Sequence, residues 1–254
     1  MQGIEGKVVI ITGASGSIGK STVNKFLDLG AKVLASDYDH EGLKTLKNDL
    51  SSDHLETVQC DVSDPKDIKQ MFDTCIETFG RVDVLVNNAG TEGKVAPVEE
   101  QKLEDYEKVM DVNVKGIFVA LQHAFPLMEQ NGGSIINISS VAGLRGSASV
   151  TPYITSKHAV TGLTKAAALE GGPKGIRVNS VHPSPVDNRM MRSLEEGFAP
   201  GQAEAVKQNM EQSIPLGRYA KNEEVADLIV FLASEHASFI NGVQYRVDGG
   251  MGAS

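Results

Sequence analysis

Tyr153 and Lys157 stand four residues apart in TPYITSKHAV. On a helix that spacing puts both side chains on one face, one turn apart. A free phenol has a pKa of about 10, too high for a base near neutral pH. A neighbouring ammonium and the positive end of a helix both favour the phenolate. Tyr153 then becomes usable as a general acid/base toward a hydroxyl or carbonyl oxygen. Thr151 is expected to cap this helix, with Pro152 at its first position. Ser140 precedes Tyr153 by 13 residues, just past an apolar run. From there its hydroxyl can reach the same substrate oxygen. The YxxxK pair alone describes many exposed helix faces, so its meaning depends on what surrounds it.

The second chemical element is TGASGSIGKS, directly after the apolar run KVVIIT. Gly13, Gly16 and Gly19 allow a sharp turn and a close backbone approach, and the amides of a following helix would face an anion. Three phosphate motifs compete, and none fits cleanly. GxGxxG and the P-loop both require glycine at Ala14, and TGxxxGxG requires it at Ser17. Asp37 ends the next apolar run, 18 residues beyond Gly19. An acid there accepts hydrogen bonds from ribose hydroxyls and repels a 2′-phosphate, which favours NAD over NADP. Tyr38 follows it, and no Lys or Arg lies between Gly13 and Gly19. The P-loop alternative would use Asp61 for magnesium; the blander alternative makes Asp37 a solvated turn acid.

These residues need a scaffold, and the hydrophobic pattern supplies one. Apolar runs fall at 7–12, 32–36, 56–60, 82–87, 134–139, 176–181 and 243–247, mostly Val- and Ile-rich. That is the pattern of parallel strands buried on both faces. Helical periodicity fills the intervals near 18–29, 40–50, 65–79, 103–129, 152–170 and 223–234. Asn222 is expected to start the last of these. Regular alternation predicts an α/β fold with βαβ crossovers, about seven parallel strands and helices on both faces. No linker or repeat divides the chain, so residues 1–254 read as one domain. The interval 187–215 breaks the rhythm, reads as a short helix before Pro215, and suits a substrate lid.

Composition agrees. The 254 residues carry 24 Lys and Arg against 33 Asp and Glu, a net charge of −9. That balance gives no general attraction to nucleic acid. No stretch approaches the ~18 continuous apolar residues of a membrane span. The N-terminus lacks the marks of a signal or transit peptide. Cys60 and Cys75 are isolated and read as reduced buried thiols in a cytoplasmic setting. No spacing suggests a metal site. His158 points about 100° away from Lys157 and reads as structural, as does His182 in its loop. Met190 and Met191 either line an apolar pocket or pack the lid.

Taken in order, Thr12–Gly19, Asp37, Asp61-Val62, Asn87-Asn88-Ala89-Gly90, Asn113, Ser140, Tyr153, Lys157, Pro183, Pro185-Val186 and Asp248-Gly249-Gly250 resemble the short-chain dehydrogenase/reductase family over essentially the whole chain. The resemblance implies a Rossmann fold and hydride transfer between NAD(H) and a secondary alcohol or ketone. It implies that Tyr153 exchanges the proton and that Lys157 lowers its pKa and holds the nicotinamide ribose. Ser140 would orient the substrate, and Asn113 would support a water relay to Lys157. Gly13, Ser15, Ser17, Ile18 and Gly19 would meet the pyrophosphate. Asp61 and Val62 would border the adenine, and Asn88, Ala89 and Gly90 would run along the cofactor. Pro183, Val186 and Asn188 would lie by the carboxamide. Ser17, Ser184 and Asn188 depart from the usual Gly, Gly and Thr. Two other readings remain: an NADPH-dependent 3-oxoacyl-thioester reductase of the same family, and a catalytically silent dinucleotide sensor. A homotetramer is implied, with 103–129 and 152–170 in one interface and the C-terminal strand in another.

Overall fold

The computed structural model describes residues 1–253. Seven strands form one sheet: β1 (Val8–Thr12), β2 (Lys32–Asp37), β3 (Leu55–Gln59), β4 (Val84–Asn87), β5 (Gly133–Ile138), β6 (Ile176–Pro183) and β7 (Gln244–Val247). Their order is β3-β2-β1-β4-β5-β6-β7, and every pairing is parallel. The helices are α1 (Ser17–Asp28), α2 (His40–Leu50), α3 (Pro65–Phe79), α4 (Leu103–Met110), α5 (Gly116–Met128), α6 (Thr151–Gly171), α7 (Arg189–Phe198), α8 (Ala203–Gln212) and α9 (Asn222–Ala233).

Side-chain alternation explains the layering. Val9 and Ile11 of β1 face one core with α1, α2 and α9, through Phe26, Leu46 and Ile229. Val8 and Ile10 face the other, with α3, α5 and α6, through Phe72, Ile117 and Val160. Both faces are dry, which is why the strands read as continuous apolar runs. A third cluster of Val141, Met191, Ile214, Tyr219 and Met251 lies apart from these, beneath α7 and α8.

Several local expectations need correction. The segment 103–129 is not one helix: a five-residue π turn, Asp111–Lys115, separates α4 from α5. The interval 187–215 holds two helices, not one short helix. Thr151 is the first residue of α6 and Pro152 the second; Val150 occupies the cap and makes no capping bond. Asn222 does begin α9, as expected, but as its first helical residue and not as its cap. There the Glu224 carboxylate reaches back to the Lys221 N–H at 2.7 Å, so the first-turn acid does the capping. Asp39 and Asp64 cap α2 and α3 by accepting from Gly42 and Lys66 N–H. Between β1 and β4 the strand order reverses, and the carboxyl ends part to form a crevice.

Candidate active site

A cleft of about 1080 Å³ opens along the carboxyl ends of the strands. Its size exceeds an ordinary small-ligand pocket. Gly13, Ser15, Ser17, Ile18, Asp37, Asp61, Val62, Asn88, Ala89 and Gly90 line one stretch of it. Ser140, Tyr153, Lys157, Pro183, Val186 and Asn188 line the other. Two expected residues, Gly19 and Asn113, are not on its wall.

Gly13 has φ +63°, a left-handed conformation suited to glycine. Gly19 lies behind the turn, where an added Cβ would strike the Gly13 carbonyl oxygen. Its role is close packing of α1 under the loop. Gly16 takes the N-cap position of α1 without a side-chain cap, so the first-turn amides stand open to the cleft. Such a helix end fits an anion. Asn88 braces the same turn, donating to Thr12 O at 3.0 Å and Gly13 O at 2.9 Å.

Asp37 is buried, not a solvated turn acid. One carboxylate oxygen accepts from Ser15 N–H at 3.0 Å and the Ser15 hydroxyl at 2.7 Å; the other accepts from Asp39 N–H at 3.1 Å. Ser15 thereby ties the glycine turn to the end of β2. Asp61 turns inward on its own loop, accepting from Ser63 N–H and its hydroxyl. Among the described residues, no three His, Cys, Asp or Glu side chains gather as metal ligands. Cys60 and Cys75 are free and buried, and burial pushes each thiol up to about 12. The residues present therefore fit a dinucleotide: open amides for its phosphates and a held carboxylate for a ribose.

At the other end, Tyr153 is the third residue of α6 and keeps part of its ring open to the cleft. Burial pushes its phenol up to about 12; the facing Ser140 hydroxyl opposes that rise and the Glu92 charge adds to it. Lys157 is buried, and burial lowers its ammonium to about 8. Its Nζ donates to Ile138 O at 3.0 Å and lies 5.5 Å from the Tyr153 ring centroid. The expected depression of the phenol is therefore absent from the protein by itself. Desolvation dominates both shifts: near pH 7 the phenol stays neutral, while the ammonium keeps its proton less firmly than a free lysine does.

Asn113 sits in the π turn and is fully buried. Its Nδ2 donates to Thr91 O at 2.9 Å and Ser156 Oγ at 3.0 Å, and its Oδ1 accepts from Thr91 N–H at 2.8 Å. Both amide hydrogens are committed. A Cβ on Gly90 would lie 3.3 Å from Asn113 Oδ1 and 3.5 Å from Lys157 Nζ, so these two polar atoms flank a position that suits glycine. Asn188 caps α7, its Oδ1 accepting from Met191 N–H at 3.2 Å. Ser184 is buried, its N–H held by Val247 O.

The structure also gives roles to residues that spacing and motif leave unmarked. His182 is fully buried in β6, with Nδ1 2.7 Å from Ser140 O and Nε2 2.8 Å from Ser180 Oγ. A carbonyl only accepts, so Nδ1 carries the proton and Nε2 accepts from Ser180. Burial lowers the imidazole to about 4, which keeps that tautomer neutral. Glu92, almost fully buried, pairs with Arg189 of α7 at 3.4 Å. Glu195 of α7, also buried, accepts from the Tyr219 hydroxyl at 2.9 Å. No periodicity or motif marks these pairs; an acid inside the amphipathic helix 189–198 was the only available hint.

Fold and cleft together define a nucleotide-dependent α/β enzyme, and comparison with known proteins narrows this. The family described as "Enoyl-(Acyl carrier protein) reductase" matches residues 13–252. A cyclohexanol dehydrogenase of Acinetobacter sp. (strain SE19) is 38% identical, covering 96% of this chain and 94% of the relative. A 3-oxoacyl-[acyl-carrier-protein] reductase of Thermotoga maritima is 39% identical, covering 98% of each. A crystal structure of NAD+-bound xylitol dehydrogenase superposes with a TM-score of 0.92 at 31% identity, covering 98% of this chain and 100% of the other. The chain belongs to the short-chain dehydrogenase/reductase family. It is an oxidoreductase acting on CH–OH groups with a nicotinamide dinucleotide.

Proposed function

We propose that the protein transfers hydride between NAD(H) and a secondary alcohol or its ketone, with Tyr153 as general acid/base. The observation that carries the cofactor choice is Asp37, buried at the end of β2 and held by three donors. A carboxylate fixed there accepts ribose hydroxyls and repels a 2′-phosphate. When bound, the dinucleotide supplies or receives the hydride and brings a positive ring in its oxidised form. The first-turn amides of α1 hold its phosphates, with Ser17 and Ile18 nearest. Asp61 and Val62 border its adenine, and Asn88, Ala89 and Gly90 run alongside.

In alcohol oxidation Tyr153 takes the hydroxyl proton; in ketone reduction it gives one back. Ser140, opposite the phenol, hydrogen-bonds the same oxygen. Lys157, an ammonium below about pH 8, has two donors left after Ile138, enough to meet a ribose hydroxyl and to favour the phenolate by its charge. Asn113 acts by holding the Thr91 segment and the π turn beside Lys157. Its amide hydrogens are taken, so it supports the proton path by position. Pro183 and Val186 shape the carboxamide end, and Asn188 does so mainly by fixing the start of α7.

Residues 187–215 serve as a lid within a single domain. The chain is read as a homotetramer, supported by exposed Leu103, Phe118 and Leu169 on the α4–α6 face and by exposed Phe239 and Val243 beside β7. Two unpaired thiols suit a cytoplasmic setting. Steady-state comparison of NADH and NADPH, with a panel of ketones, tests the cofactor choice. The expected result is a higher kcat/KM for NADH. A preference for NADPH overturns it and favours the thioester-reductase reading, for which the Thermotoga maritima relative is the support.

A further inference from the structure

The substrate end of the cleft divides sharply by polarity. The hydrogen-bonding groups cluster at Ser140 and Tyr153, while the lid side, apart from Asn188 and Arg189 at the start of α7, is hydrocarbon and thioether. Met190, Met191, Leu194 and Phe198 line it from α7, and Met210 from α8. Positions 190, 191, 194 and 198 share one face of a helix, so a single stripe of α7 is turned inward. Behind that stripe, Met191 packs with Val141, Ile214, Tyr219 and Met251, and Leu194 and Met210 rest against the same cluster. Val141 directly follows Ser140. The apolar wall therefore begins one residue from the group that would touch the reacting oxygen.

The lid also has no cation to spare. Arg189 pairs with Glu92, Arg192 with Asp187 and Glu195, and Lys207 with Glu211. Arg192 and Lys207 lie over the Tyr219 ring, at 5.6 and 5.9 Å. Outside the lid, Arg145 lines the cleft from an exposed position and donates to the Met251 sulfur. A polyol seated against this wall would bury hydroxyls without partners, which a site penalises heavily. A compact hydrocarbon ring or chain would not, and methionine side chains adapt to its shape.

We infer that the lid selects an uncharged secondary alcohol or ketone whose carbons next to the reacting centre are hydrocarbon. This rests on the oxidoreductase reading above and names its substrate class. The test measures kcat/KM with NAD+ for three probes: cyclohexanol, the anion 4-hydroxycyclohexanecarboxylate, and the polyol xylitol. The inference expects cyclohexanol to lead each of the others by ~10-fold or more, the discrimination an apolar pocket gives. Leu194→Gln should raise KM for cyclohexanol ~10-fold, with kcat nearly kept, and narrow the gap to xylitol. Leu194→Met, of similar volume and polarity, should raise KM for cyclohexanol far less than the glutamine does, and NADH binding by both variants reports that they are folded. Equal or better turnover of xylitol or of the carboxylate overturns the inference and leaves the oxidoreductase reading intact. Hydride transfer with none of the three alcohols, and none from NADH to their ketones, overturns both.

Discussion

At the scale of the residue, the proposed chemistry turns on groups that burial pushes the wrong way. Tyr153 lies up at about 12 and Lys157 down at about 8, each because its charged form is poorly solvated. Oxidation of an alcohol needs the phenolate and reduction of a ketone needs the phenol. The rate of oxidation should therefore climb with pH above neutrality, while reduction holds and then falls. Opposed pH profiles of kcat/KM in the two directions check this, and parallel profiles would remove Tyr153 from the proton path. Asp37 offers a second residue-level prediction. Asp37→Ala should lower kcat/KM for NADH by about 10–100-fold, the loss of a charged hydrogen bond of ~1.5–3 kcal/mol, and leave NADPH less affected. Most of these side chains were legible from spacing. What spacing did not convey is which polar atoms are already engaged. Ser15 holds Asp37, Asn188 caps a helix, and both amide hydrogens of Asn113 are spent.

At the scale of the element, the seven strands were readable because each is apolar on both faces. Interruptions of helices were not. The π turn at Asp111–Lys115 leaves the apolar period nearly unchanged, so 103–129 reads as one helix. α7 is hard to read because its face is mixed: Met191 and the acid Glu195 are both buried, and the acid is satisfied by distant Tyr219 together with Arg192 of its own helix. β6 carries the least expected contact, His182 joining the end of that strand to Ser140 beyond β5. Its imidazole sits at about 4 in the fold against about 6.5 unfolded. The fold excludes the charged form, so this contribution is full above pH 6.5 and is lost as pH falls toward 4. The loss is roughly 3 kcal/mol. Denaturant melts between pH 7 and 4 should show that decline in the parent and a flatter one in His182→Asn. Asn can still donate to Ser140 O. His182→Ala cannot, and should lower kcat more than it changes NADH binding.

At the scale of the whole molecule, one sheet brings distant residues to a single edge. The reversal of strand order between β1 and β4 opens the crevice, and the long α6 carries Tyr153 and Lys157 to it. The same helix exposes Leu169 on its outer side, at 80% exposure, and Phe239 near β7 is fully exposed. Exposed apolar groups at separate places on the surface suit separate interfaces. If the proposed tetramer forms, Leu169→Arg and Phe239→Asp, made singly, should each reduce it to a smaller assembly by light scattering. An unchanged mass for both would contradict the assigned interfaces. Sequence gave no direct sign of these surfaces, because an exposed leucine within a helix looks the same as a buried one.

The most direct test of the account is Tyr153→Phe, which removes one oxygen from the cleft and leaves its walls in place. NADH fluorescence should report nearly unchanged binding, since the glycine turn and Asp37 are untouched. Steady-state turnover of any alcohol that the parent oxidises should fall by at least ~10²–10⁴-fold, the usual worth of a positioned acid/base. Turnover close to that of the parent, with NADH still bound, would contradict the central claim that this phenol moves the proton.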